Sequence, residues 1–213
     1  MKIEIANVTK QIRKALILDS VNLTFESGHI YGLYGPNGSG KTMLMRLIAG
    51  LILPTAGTVT LDGKTLGEDI DFYDSMGVLI ETPSFLPGLT GLQNLLLLAR
   101  IHRRIDDNVI SQSLRDVGLE PEDKRKFRKY SLGMKQRLGI AAAIMEKPDI
   151  ILLDEPTNAL DRDGIAQICQ LIRREKERGA LLILACHEIS VLEAICDEII
   201  LVCDGRFQRR VQP

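Results

Sequence analysis

The chain has 213 residues, 45% apolar and 26% charged, the balance of a globular domain with a buried core rather than of a disordered segment. Its 27 Lys and Arg offset 28 Asp and Glu, which leaves no field to gather a polyanion and excludes a non-specific nucleic-acid binder. The four cysteines, Cys169, Cys186, Cys196 and Cys203, form no CxxC pair, so free thiols in a reducing compartment are expected.

Met1 to Thr9 alternates charged and apolar residues, and no signal peptide is expected there. The alternation of Ile3, Ile5 and Val8, then Val21, Leu23 and Phe25, then Val59 and Leu61 before Asp62-Gly63, predicts short strands of an antiparallel lobe. Inside that lobe, His29 to Gly35 reads as a strand that runs straight into a glycine-rich turn and a helix over Lys41 to Ala49. A buried strand follows at "MGVLI" from Met76.

Strand signals then stop. Leu92 to Arg103, Asn108 to Val117 and Leu132 to Met145 read as helices, the last with Ser131 as N-cap. The apolar run Leu95 to Ala99 is far shorter than the ~20 residues that span a bilayer, so a soluble, cytoplasmic chain is expected. Strands return at "DIILLD" from Asp149, "ALLILAC" from Ala180 and "EIILVC" from Glu198. A helix over Gly164 to Glu177 intervenes, with Ile165, Ile168, Cys169 and Ile172 on one face. Strands alternating with helices predict an α/β fold with a mainly parallel sheet. The expected organisation is one domain over 1–213: a core from 1–80 and 149–213, with a helical subdomain, 81–148, inserted.

The chemistry concentrates at two places. "GPNGSGKT" comprises Gly35, Pro36, Asn37, Gly38, Ser39, Gly40, Lys41 and Thr42, and satisfies GxxxxGK[ST]. It follows a strand and opens a helix, the context in which backbone N–H groups and the helix N-terminus cradle phosphate. Lys41 can reach the β- and γ-phosphates and Thr42 can ligate Mg²⁺. That much suits a kinase, a GTPase or a motor equally. "IILLDEPTNALD" then ends a buried strand on Asp154, suited to the Mg²⁺ shell, and Glu155, suited to take a proton from an attacking water.

Over nearly its whole length the chain resembles the ATP-binding subunit of an ABC transporter. Gly35 to Thr42 matches the Walker A motif, Ile150 to Asp154 the Walker B, Glu155 the catalytic glutamate and Asn158 to Asp161 the D-loop. The resemblance implies that His187, after the strand ending at Cys186, contacts the γ-phosphate. It also implies that "YSLGMKQR" stands in the place of the LSGGQ signature. Ser131 and Gly133 would then complete the ATP site of a second subunit, identical or related. Glu81 occupies the Q-loop glutamine position, where a carboxylate can still coordinate Mg²⁺.

Leu132 and Met134 depart from the signature, and Ile12 stands where an aromatic ring usually stacks on adenine. "IETP" together with "SLGMKQR" is similar to exporter ATPases of peptide-antibiotic and lantibiotic immunity systems. The resemblance thus implies a P-loop NTPase fold of the ABC type and an ATPase using ATP and Mg²⁺. It further implies a separate integral-membrane permease docked near Glu81 to Leu92, the protein lying on the inner face of the membrane. No nucleic acid partner and no C-terminal regulatory domain are expected. The alternative is a soluble ABC ATPase acting on ribosomes or DNA.

Overall fold

The computed structural model describes residues 1–210. Strands β1 (Lys2–Ile12) and β2 (Ala15–Glu26) form an antiparallel hairpin in which Lys2 faces Glu26 and Ile5 faces Leu23. Alternation buries Ile3 and Ile5 on β1 and Val21, Leu23 and Phe25 on β2, and a register shift after Ile5 brings Val8 inward as well. β4 (Ala56–Leu61) pairs with the other edge of β1, and the two-residue β5 (Lys64–Thr65) closes the lobe in the order β2-β1-β4-β5.

The second sheet runs β10-β9-β3-β8-β7-β6. Its strands are β3 (Ile30–Tyr34), β6 (Met76–Leu79), β7 (Ile150–Asp154), β8 (Leu181–Cys186), β9 (Glu198–Cys203) and β10 (Arg206–Arg210). Every pairing is parallel except β9 with β10. β7 and β8 are buried at every position, because helices or the antiparallel lobe cover both faces. Ile151 and Leu153 of β7 pack into one core with the helices, whereas Ile150 and Leu152 pack into a second core with the lobe.

Among the described residues there are six α-helices: α1 (Lys41–Ile48), α2 (Gly91–His102), α3 (Asp107–Asp116), α4 (Leu132–Ile144), α5 (Arg162–Glu177) and α6 (Ile189–Ile195). Side-chain caps set several starts. Thr90 and Gln93 form a reciprocal capping box on α2, Asp106 caps α3, Ser131 caps α4 and Asp161 caps α5. α2, α3 and α4 fall between β6 and β7, where sequence reasoning expects helices and no strand.

Three features were not expected. β2 starts at Ala15, because its first half pairs with β1 although Ala15 and Leu16 are exposed. α6 has only seven residues and no side-chain cap, so it carries no periodic signal of its own. β10, "RFQRR", is charged like a loop and is a strand because it pairs with the edge of β9. Cys169, Cys186 and Cys196 are buried, Cys203 is exposed, and all four are free thiols.

Candidate functional site

The site lies at the carboxyl ends of β3, β7 and β6, the usual ligand position of a parallel sheet. β3 delivers the chain at Tyr34, and Gly35 to Gly40 turns it into α1. Gly40 is the N-cap of α1 with φ +113°, a backbone conformation that side chains rarely adopt. That turn leaves the first N–H groups of α1 facing the cleft. Lys41 is buried, and its ammonium donates to the carbonyls of Gly35 at 2.6 Å and Pro36 at 3.0 Å. The Ser39 hydroxyl is buried and has no hydrogen-bond partner among the described residues, the kind of cost that persists at ligand sites.

Thr42, on the first turn of α1, donates its hydroxyl to Asp154 at 2.7 Å. Asp154 ends the buried strand β7, and burial pushes its carboxyl above the ordinary aspartate range. The Thr42 hydroxyl, and the Glu81 backbone N–H that donates to the same carboxylate, oppose the shift only in part. A carboxyl whose folded pKa is raised binds more protons folded than unfolded, so stability falls as pH rises from the unfolded value through the folded one. At neutral pH the charge of Asp154 therefore destabilises the fold. Asp154→Asn, which keeps an acceptor for both donors, is expected to raise the melting temperature by a few degrees. Differential scanning calorimetry at neutral pH and again below pH 4 checks this, the gain shrinking in acid. A lower melting temperature at neutral pH would mean that the carboxylate stabilises the fold.

Glu155 follows with φ +50°, so it leaves the strand direction that Asp154 still follows. Its backbone N–H bonds to the carbonyl of Ala185 at 2.8 Å, and Gln136 of α4 donates to its carbonyl at 2.8 Å. Nδ1 of His187, after β8, lies 2.8 Å from Oε2 of Glu155. An ionised carboxylate only accepts, so Nδ1 carries the proton in that contact. Glu81 (φ +62°) and Ala159 (φ +61°) share the left-handed conformation of Glu155. Non-glycine residues held there cost of order 1–3 kcal/mol each and cluster at working sites.

A cleft of about 390 Å³ is lined by P-loop residues, including Lys41 and Thr42, with Arg46, Glu81, Asp154 and Glu155. A neighbouring cavity of about 430 Å³ shares Glu81, Asp154 and Glu155 and reaches Leu132 and Ala159. The Glu81 side chain pairs with Arg46 of α1 at 2.5 Å. Ile12 does not line the cleft; it lies half-exposed at the β1–β2 turn, and Ile17 of β2 is the aliphatic residue on the cleft wall. Ile17, Arg46 and Gln136 carry no local motif, and only the packing of distant segments reveals them.

Ser131 and Gly133 are not part of the P-loop cleft. Ser131 is exposed, accepts the Met134 N–H at 3.2 Å and caps α4. Gly133 backs onto the D-loop so closely that a Cβ there would sit 2.6 Å from the carbonyl oxygen of Ala159. Leu132 between them is 69% exposed. Asp161 and Val117 share the Arg137 guanidinium, which ties the D-loop to the end of α3.

Residues 18–158 match the family model described as ABC transporter. An uncharacterized ABC transporter ATP-binding protein of Bacillus subtilis, YybJ, is 48% identical over 97% of this chain and 94% of its own length. The bacitracin transport ATP-binding protein BcrA of Enterococcus faecalis is 41% identical over 98% of this chain and 68% of its own. Among solved structures, the dimeric post-hydrolysis ATP-binding cassette MJ0796 with ADP and Pi superposes at TM-score 0.88 with 28% identity, covering 98% of each chain.

Proposed function

The chain belongs to the ABC transporter ATP-binding family, and from that membership and the site geometry we propose an Mg²⁺-dependent ATPase that closes as a dimer around two ATP molecules. In this reading it lies at the cytoplasmic face of the membrane and drives a separate permease. The observation that carries the catalytic part is the pairing of Thr42 with Asp154 beside Glu155 at the mouth of one P-loop cleft.

The Thr42 hydroxyl and the Asp154 carboxylate are hard oxygen donors held together, a set that suits Mg²⁺. Among the described residues no three His, Cys, Asp or Glu form a cage for a metal ion. A cation held by Thr42 and Asp154 alone would take its remaining ligands from phosphate and water. Bound there, it would neutralise charge on the β- and γ-phosphate oxygens. Lys41 and the P-loop N–H groups orient the triphosphate. Glu155, held by His187, takes the proton of the attacking water. His187 is the residue for γ-phosphate contact. Ser131 and Gly133, outside this chain's own cleft, complete the site of the facing subunit, and the exposed Leu132 beside them is suited to burial there.

The likeness to a bacitracin transport ATP-binding protein supports peptide antibiotics or similar amphipathic compounds as cargo. Neither named relative points to ribosomes or DNA. Among the described residues no helix is long and apolar enough to cross a membrane. For the permease docking segment, Glu81 to Leu92, Phe85 and Leu86 differ in kind. Phe85 packs edge-on against Phe127, ring centroids 5.3 Å apart, and joins the helical core. Leu86 is 51% exposed, its backbone held on both sides by the Asn94 amide. The permease contact therefore falls to Leu86, with Phe85 as its support.

Leu86→Ala should release the permease in a detergent pull-down, a loss of ~2 kcal/mol if it anchors the interface, with the melting temperature unchanged. Phe85→Ala should instead lower the melting temperature, since it opens a cavity beside Phe127. Full permease retention by Leu86→Ala would move the contact elsewhere on the surface.

A further inference from the structure

The Glu81 side chain is paired with a guanidinium at the edge of the cleft. Its Oε1 lies 2.5 Å from Nη2 of Arg46, and both residues line the P-loop cleft. Arg46 stands four residues after Thr42 on α1, so the two share a helix face. That face makes two rungs to the sheet: Thr42 to Asp154 at the end of β7, and Arg46 to Glu81 just beyond β6. The backbone of Glu81 is pinned independently, because its own N–H donates to the Asp154 carboxylate and its φ is +62°. Only its side chain is free to choose a partner. That side chain is 60% exposed and the Arg46 side chain 34%, so the pair is solvated and easily exchanged.

We propose that Arg46 is the counter-ion that withholds Glu81 from the nucleotide-bound cation, so that the Glu81 carboxylate passes between Arg46 and Mg²⁺ and their competition sets the Mg²⁺ concentration needed to load ATP. The inference rests on the ATP reading above. A carboxylate already paired with a guanidinium offers a divalent cation less than a free one, and this chain has a carboxylate here where the resemblance expects a neutral amide. The amide would need no counter-ion. The backbone bond to Asp154 holds Glu81 beside the residue assigned to the cation, while Arg46 holds its side chain.

The test is the Mg²⁺ dependence of binding, followed with a fluorescent, non-hydrolysable ATP analogue on the whole purified chain. The proteins are the wild type, Arg46→Met, Glu81→Gln and the double variant. Arg46→Met should lower the half-saturating Mg²⁺ about two- to fivefold, the range expected for a solvated ion pair. Glu81→Gln should raise it, and adding Arg46→Met to Glu81→Gln should change nothing more, because the two act as a unit. Binding of the analogue without Mg²⁺ should be equal in the wild type and Arg46→Met. A loss there would place Arg46 on the phosphates and overturn the proposal. So would an unchanged midpoint in Arg46→Met, or an equal shift with and without Glu81. If Arg46→Met does not fold, Arg46→Lys takes its place, with a smaller shift of the same sign expected and no shift contradicting the proposal. A wild type that binds no analogue at any Mg²⁺ concentration would instead remove the ATP reading itself.

Discussion

Glu155→Gln is expected to hydrolyse ATP about 10²- to 10⁴-fold more slowly than the wild type, the usual contribution of a positioned general base. ATP affinity should stay within about threefold. The amide keeps the volume of the carboxylate and still accepts the bond from Nδ1 of His187, so the local structure should survive. The Gln136 and Ala185 contacts are to the backbone of residue 155 and are untouched. What disappears is a proton acceptor at the strand end beside Asp154. Steady-state phosphate release and equilibrium nucleotide binding measure the two halves. Turnover near the wild-type value would remove Glu155 from the chemistry.

Gly133→Ala carries the second large effect. A methyl group at Gly133 would stand 2.6 Å from the carbonyl oxygen of Ala159, which is backbone and cannot rotate aside. Ala159 is already held at φ +61°, so the D-loop has little room to yield. The start of α4 and the D-loop must therefore separate, displacing the Ser131 N-terminal turn. Because that turn serves the facing subunit in this account, the variant should bind ATP as a monomer with unchanged affinity. Its turnover should fall at least about tenfold, as when one donor to a transition-state oxyanion is lost. A parallel loss of nucleotide affinity would show that Gly133 acts on its own chain's cleft.

The glycine-rich loop and the acid pair are legible from sequence because each is a contiguous string whose conformation is set locally. Glycines turn the backbone at 35–40, and a buried apolar run must end on Asp154 and Glu155. The parallel sheet was legible for a similar reason, since β7 and β8 are buried on both faces and read as unbroken apolar runs. Contacts between segments were not legible. Nothing near Arg46 foretells a carboxylate thirty-five positions on, and nothing near Gln136 foretells the carbonyl of Glu155. Ile17 is another such case: the hairpin register puts it on the cleft wall, and no motif in the sequence marks it. Phe85 and Leu86 show the same limit. Adjacent apolar residues in a broken segment look alike until one is found packed on Phe127 and the other in solvent.

A site shared between two chains requires that they come together on nucleotide, and molar mass reads that step. Light scattering on size-exclusion eluates of Glu155→Gln, run with and without Mg-ATP, should show the 23.7 kDa monomer shift to a species of about twice that mass only when Mg-ATP is present. The same protein carrying Gly133→Ala should remain at 23.7 kDa in both runs. A Glu155→Gln protein that binds Mg-ATP and yet elutes as a monomer would contradict the account.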